Sequence, residues 1–183
     1  MKNVPAGVTA GLFGAWLVHD AEEWFTMAPW SRENTDKIVR ALPVSPPWGN
    51  GGMSDVQAHS GIAAMGAVIL AASAMGVKSR GRSGFFQTAF LAFGLHSLSH
   101  LGASALVRGY TPGAVTAPLV VLPYWVWGWR RLNRAGVLRN DPAFWATAAV
   151  AVPVTIGGVH LAAAGLLKAR ELTKGASSTA IPS

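Results

Sequence analysis

The chain has 183 residues, of which 51% are hydrophobic and only 13% are charged, whereas soluble domains usually carry about a quarter charged residues. Lys and Arg outnumber Asp and Glu by 15 to 8, but they are grouped between long apolar stretches and form no nucleic-acid-binding motif, so we expect no nucleic-acid partner. The absence of cysteine excludes disulfides, thiolate nucleophiles and zinc or iron–sulfur sites held by cysteine.

Five apolar segments approach or exceed the roughly 20 residues that a helix needs to cross a bilayer. In chain order they are residues 4–25, 61–77, 83–107, 114–129 and 143–167. The pattern predicts an all-α integral membrane bundle of about five transmembrane helices, formed by residues 1–168 as a single domain. A long loop is expected at 26–58, and a flexible C-terminal tail is expected at 169–183.

Positive residues gather beside two of the apolar segments. Lys78, Arg80 and Arg82 follow the second segment, and four arginines follow the fourth. Basic residues in short connections favour the cytoplasmic side of a membrane. We therefore predict a multi-pass protein of the cell membrane whose N terminus is cytoplasmic.

Histidines and glutamates interrupt the first, third and fifth apolar segments, which run in the same direction in a five-span protein. The residues concerned are His19, Glu22, Glu23, His96, His100 and His160. The spacing of the first three, and of the pair on the third segment, places the residues of each helix on one face. Since all three helices carry these residues at similar depth, we expect the six side chains to converge.

An ionisable side chain inside hydrocarbon costs roughly 2.5–3.5 kcal/mol on insertion scales and usually has a function. A cation would lower this cost by neutralising the carboxylates and binding the imidazoles. Histidine and glutamate ligands suit zinc or iron, so all six residues are predicted metal ligands. His19, Glu22 and Glu23 are also predicted to act in catalysis.

Other interpretations of these residues remain open. The first three could form a polar helix end at the membrane interface, and the histidine pair could form interhelical hydrogen bonds without a metal. His160 could be a packing residue. His59 lies next to Asp55 at the start of the second segment, where it could be interfacial, a ligand or part of a proton relay.

The segment His19-Asp20-Ala21-Glu22-Glu23 resembles the signature of the HXXEE family, which comprises small bacterial membrane proteins of largely unassigned function. The resemblance extends to His100, to Pro112-Gly113 and to His160, and thus covers most of the chain. His96 stands where the family pattern has asparagine. The resemblance implies a membrane protein that could be an enzyme, and it implies no particular substrate.

Three functions are compatible with the sequence, beside a purely structural role as a membrane subunit. The first is a metal-dependent hydrolase or oxidoreductase that acts on a lipid-like, small apolar or amphipathic substrate. The second is a metal-independent isomerase of the emopamil-binding type, in which a carboxylic acid and a base move protons. The third is a carrier or membrane binding protein coupled to protons or cations. In each case membrane lipid is the expected surrounding.

Overall fold

The computed structural model of the chain describes residues 4–41 and 51–178. Side chains are outside this description at positions 38, 41, 152, 156, 160, 163, 164 and 166–178. The described residues form helices and turns without strands, which confirms the predicted all-helical bundle. The helices are α1 (Ala6–Thr9), α2 (Gly11–Ala41), α3 (Asp55–Lys78), α4 (Gly84–Val107), a π-helical turn (Ala117–Val121), α5 (Leu122–Arg134) and α6 (Pro142–Ser178).

Three helical stretches in the described part of the chain are long and apolar enough to cross a membrane. They are Asp55–Lys78, Gly84–Val107 and Pro142–Val159. These stretches fit an association with the membrane. The shorter α5 is preceded by the π-helical turn, in which Pro118 cannot donate an amide to a regular helical ladder.

The prediction of a loop at 26–58 is wrong over Thr26–Ala41, which continues α2, and from Asp55, where α3 begins. Residues 42–50 lie outside the described part. Hydropathy alone missed the polar end of α2, where Ser31 and Thr35 donate hydrogen bonds to backbone carbonyls one turn earlier. The tail boundary at 169 is also wrong, since α6 is helical to Ser178, and residues 179–183 are not described.

The contacts along α2 show the direction of its neighbours. Trp16 lies against Gly66 of α3, and Arg32, further along α2, pairs with Asp55 at the start of α3. The two helices are therefore antiparallel. Only the short turn between Lys78 and Gly84 separates α3 from α4, and α4 returns parallel to α2. This parallel pair carries most of the polar residues of the interior.

One end of the bundle holds the main apolar core. Its fully buried side chains include Val8 and Leu12 of the first two helices and Phe86 and Phe90 of α4. Glycines allow the helices to approach closely here. At Gly128, for example, an added Cβ would lie 2.7 Å from the ring of Phe90.

Candidate metal centre

Four ionisable side chains of α2 and α4 meet beyond the apolar core. They are His19, Glu23, His96 and His100, and each offers one ligand atom within 4.8 Å of all the others. We call these four residues the ligand group. His19 is fully buried and Glu23 is 5% exposed. On each helix the two residues are four positions apart, so each helix contributes one face with two ligands.

The distances within this group are short. The Nε2 atom of His100 lies 2.8 Å from Nε2 of His96 and 3.2 Å from Nε2 of His19. The same atom is 3.3 Å from Oε1 of Glu23. His100 is therefore the central member of the group, and three imidazoles present the same ring nitrogen to one another.

Thr116 determines the tautomer of His19. Its hydroxyl donates to Oε2 of Glu22 at 2.6 Å, and it lies 2.8 Å from Nδ1 of His19. A hydroxyl has one proton. Because the Thr116 hydroxyl uses its proton in the hydrogen bond to Glu22, its oxygen must accept a hydrogen bond from Nδ1 of His19. The proton of neutral His19 is then on Nδ1, and the lone pair of Nε2 faces the centre of the group.

Glu22 orients this arrangement from outside the group. Its carboxylate accepts hydrogen bonds from the backbone amides of Val115 and Thr116, from the Thr116 hydroxyl and from the phenol of Tyr110. The two amides precede the π-helical turn, where unpaired N–H groups favour an anion. Burial raises the pKa of Tyr110, and its hydrogen bond to Glu22 raises it further, so the phenol keeps the proton that it donates.

His96 and His100 are oriented in the same way, with Nδ1 turned away from the group. His100 interacts with the backbone of Pro112, and its Nδ1 edge lies against the Pro112-Gly113 turn, while Nε2 faces the group. The Ser99 hydroxyl donates to the carbonyl of His96 and lies 3.4 Å from Nδ1 of the same residue. Each histidine thus has an Nδ1 partner, and each Nε2 is left for the centre.

This donor set fits a metal ion. Lone pairs on facing Nε2 atoms repel unless a proton or a cation lies between them. Zinc bonds nitrogen at about 2.0–2.1 Å, so tetrahedral ligands lie about 3.3 Å apart. The separations of 3.2 and 3.3 Å around His100 match that value. The 2.8 Å between His96 and His100 would have to open by about 0.5 Å, and the widest pairs, within the 4.8 Å limit for the group, would have to close by up to about 1.5 Å.

The turn after α4 forms one wall of the centre. Gly113 has a φ of +80°, and an added Cβ would lie 2.7 Å from the ring of His100 and 2.8 Å from that of His19. Both the backbone conformation and the space therefore require glycine. This glycine thus allows the turn to pack against both rings.

The predicted site residues separate into three sets. The group described above brings together four of them, while Glu22 lies beside it and binds the turn before α5. The side chain of His160 lies outside the described residues. His59 lies elsewhere: its ring stacks on that of Trp24 with centroids 3.9 Å apart, and Nε2 is 3.0 Å from the Trp24 carbonyl.

Sequence reasoning missed four residues of this region. They are Asp20, Tyr110, Gly113 and Thr116. Pro112-Gly113 was noted as a motif, and its position directly after a histidine-bearing helix was the available signal for a tight turn at the site. Nothing in the local sequence distinguishes Thr116, because its partner Glu22 is 94 positions away.

A cavity of about 660 Å³ lies between α2, α3, α4 and α6 and touches the ligand group. Its walls are mainly apolar and include Met27, Met65 and Phe93. Among its described lining residues the ionisable ones are Asp20, Glu23, His96 and His100. Thus the group opens onto an apolar space that could hold a ligand.

Comparison with known proteins gives one match. The sequence model of the family described as "Protein of unknown function with HXXEE motif" matches residues 10–128, more than half of the chain. The chain belongs to this family. The match ends within α5 and so does not extend to His160, unlike the resemblance noted in the sequence. No curated protein and no solved structure matches the chain.

The structure divides the named positions of the HXXEE motif between two environments. His19 and Glu23, the first and last positions, enter the ligand group. Glu22 lies beside the group and accepts a hydrogen bond from the Thr116 hydroxyl, which in turn contacts Nδ1 of His19. The motif thus combines two candidate ligands with the carboxylate that fixes one of them, as in the carboxylate–histidine–metal arrangements of known metal sites.

Proposed function

We propose that this protein is a multi-pass membrane enzyme that uses a zinc or iron ion to transform a lipid-like substrate, with its N terminus in the cytoplasm. The observation that carries the proposal is the convergence of three imidazoles and one carboxylate on the wall of an apolar cavity. Buried ionisable groups at membrane depth usually serve function. Here three of them are also oriented by partners on their outer nitrogen atoms.

His19, His96, His100 and Glu23 would hold the ion, which when bound would polarise a substrate oxygen or activate water. Glu22 and Thr116 keep His19 in the tautomer that presents Nε2. The Pro112-Gly113 turn does the same for His100. These contacts hold the ligands in place before substrate arrives, so little rearrangement is needed on binding.

Asp20 is the candidate proton donor or acceptor. The residue is 8% exposed, lines the cavity and lies outside the ligand group. Because Asp20 and Glu23 are three positions apart on α2, they share one face of the helix. A carboxyl group that faces substrate beside a ligated metal is suited to general acid–base catalysis.

The cavity supports a substrate with a long apolar part. Its lining includes Phe85 and Val107 at the two ends of α4, which are separated by about 33 Å of helix. This length is comparable to the hydrocarbon thickness of a bilayer, about 30 Å. A membrane lipid, or an amphipathic molecule dissolved in the membrane, could reach the ligand group without crossing water.

Metal analysis of detergent-purified protein tests the metal centre. We expect about one zinc or iron per chain in the wild type and a loss of most of this metal in the double variant His96→Ala/His100→Ala. His59→Ala is the matched control, since it removes an imidazole outside the group. Metal absent from a folded wild-type protein, or lost equally in the control, would refute the metal centre.

Lipid profiling tests the enzymatic part. Membranes containing the wild type, Asp20→Asn or His100→Ala would be compared for lipid species that accumulate or disappear. We expect a change that depends on both residues, with metal retained by Asp20→Asn. Identical profiles in all three membranes, despite full metal occupancy of the wild type, would contradict catalysis on membrane lipid.

The acid–base isomerase is a second candidate because Asp20 and Glu23 both line the cavity. Two carboxyl groups at one substrate could move protons across a double bond without a metal. A metal-free protein whose lipid profile depends on Asp20 would favour this candidate. A profile that changes with added chelator would favour the metal enzyme.

A further inference from the structure

A second concave surface lies on the outer face of the π-helical turn and α5. It has a volume of about 430 Å³, and it is lined by Pro118, Leu122, Pro123, Val126, Trp127, Arg130, Arg131 and Arg134. We call it the α5 groove. It shares no lining residue with the cavity at the ligand group.

The residues of the α5 groove follow a simple order. The first five are proline, aliphatic or aromatic, and the last three are arginines. From Leu122 to Arg134 the helix rises about 18 Å, so the groove has an apolar part and a basic end. Val126 and Trp127 are exposed, as expected for side chains that contact lipid.

The basic end has no acidic partner among the residues that the structure describes. None of Arg130, Arg131 and Arg134 forms an ion pair with a described carboxylate. Arg131 lies over the ring of Trp127, with its Cζ 5.9 Å from the ring centroid. This contact holds one guanidinium at the boundary between the apolar and basic parts.

From this arrangement we infer that the α5 groove binds an anionic phospholipid. The phosphate lies among the three arginines, and an acyl chain covers Leu122 and Val126. Guanidinium groups match phosphate oxygens in geometry and charge, and basic pockets at helix ends are known to bind anionic headgroups. A free phosphate would use the basic end alone and leave the apolar part uncovered, which is why the lipid is the occupant favoured.

Native mass spectrometry of the purified full-length chain tests this inference. Phosphatidylglycerol, phosphatidylcholine and inorganic phosphate are offered separately at equal concentration. The variant Arg130→Gln/Arg134→Gln leaves Arg131 on Trp127. Its control, Lys78→Gln/Arg80→Gln, removes the same charge at the same end of the bundle, where Gly81 lies against Leu132 of α5.

We expect phosphatidylglycerol to bind the wild type and its affinity to fall at least about tenfold in Arg130→Gln/Arg134→Gln. The control should change less than about twofold, as should binding of phosphatidylcholine to either variant. An equal loss in the control would reduce the effect to general surface charge and overturn the site. Equal binding of phosphatidylcholine, or full displacement of the lipid by inorganic phosphate, would also overturn it. None of these outcomes depends on a metal at the ligand group.

Discussion

The parallel helices α2 and α4 meet in two regions of opposite character. Near the start of each helix they contribute apolar side chains to one core, including Leu12 and Phe90, both fully buried. Two turns further along α2 the contact becomes polar, and His19 lies 3.2 Å from His100. The same pair of helices thus provides a packed core at one level and a candidate metal centre at the next.

The packing of the apolar core can position the residues of the candidate metal centre. Close packing of glycine against aromatic rings fixes the register of α4 against its neighbours, as at Gly94 and Trp125. Because a helix is stiff along its axis, this register determines where His96 and His100 lie relative to His19. Substitutions in the core should lower the stability of the bundle, whereas substitutions of the residues that orient the ligands should weaken metal binding with the core intact.

Removal of the metal should give the largest change in Tm, and this change should depend only on the residues of the polar region. Saturation at about 100 times the Kd stabilises a protein by about 2.7 kcal/mol, so chelation should lower the Tm of a chain this size by about 5–10 °C. The measurement is thermal unfolding in detergent with and without chelator. The variant His96→Ala/His100→Ala should not respond, and an equal response in it would contradict the assignment of the ligands.

Gly94→Val should destabilise the apolar core. An added Cβ at Gly94 overlaps the indole of Trp125, and overpacking of this kind usually destabilises by about 1–3 kcal/mol. Gly102→Val is the matched control on the same helix, since nothing lies within 4 Å of a Cβ there. Thermal unfolding should separate the two variants. Equal Tm values would show that close packing at Gly94 does not stabilise the bundle.

Thr116→Val should weaken metal binding without a large change in the stability of the core, and so separate the roles of the two regions. Loss of the hydroxyl removes the acceptor for Nδ1 of His19 and a donor to Glu22. Residues that orient metal ligands typically contribute about 10–100-fold in affinity. Competition with a chelating dye measures this affinity. Thr116→Ser keeps the hydroxyl and should behave as wild type; a Ser variant as weak as Val would argue against the hydrogen bond.

Arg32→Gln should give the smallest effect, because it alters neither region. Arg32 pairs with Asp55 at 3.4 Å, and the two side chains are 42% and 62% exposed. Such surface ion pairs contribute about 0–1 kcal/mol, so the Tm should shift by less than about 4 °C. Metal content should not change. A larger loss of stability would mean that the contact between α2 and the start of α3 supports the bundle more than its exposure indicates.

Helical spacing predicted which residues of α2 lie together, but not where Glu22 lies. His19 and Glu23 are four residues apart, and they do face α4 together. Our prediction also included Glu22, but consecutive residues are about 100° apart around a helix. The two glutamates therefore point in different directions, and the hydrogen bonds of Glu22 to Thr116 and Tyr110 place it with the turn before α5.

The amino-acid sequence alone determined the helical class, the presence of helices long and apolar enough to cross a membrane, and the family, because hydropathy, charge segregation and the motif are local properties. Only the tertiary structure decided which polar residues meet. It brought four ligand candidates together, joined Glu22 to Thr116 and placed His59 against Trp24. These contacts depend on the register between helices and on the turn at Gly113. Both are determined by residues that lie far apart in the chain.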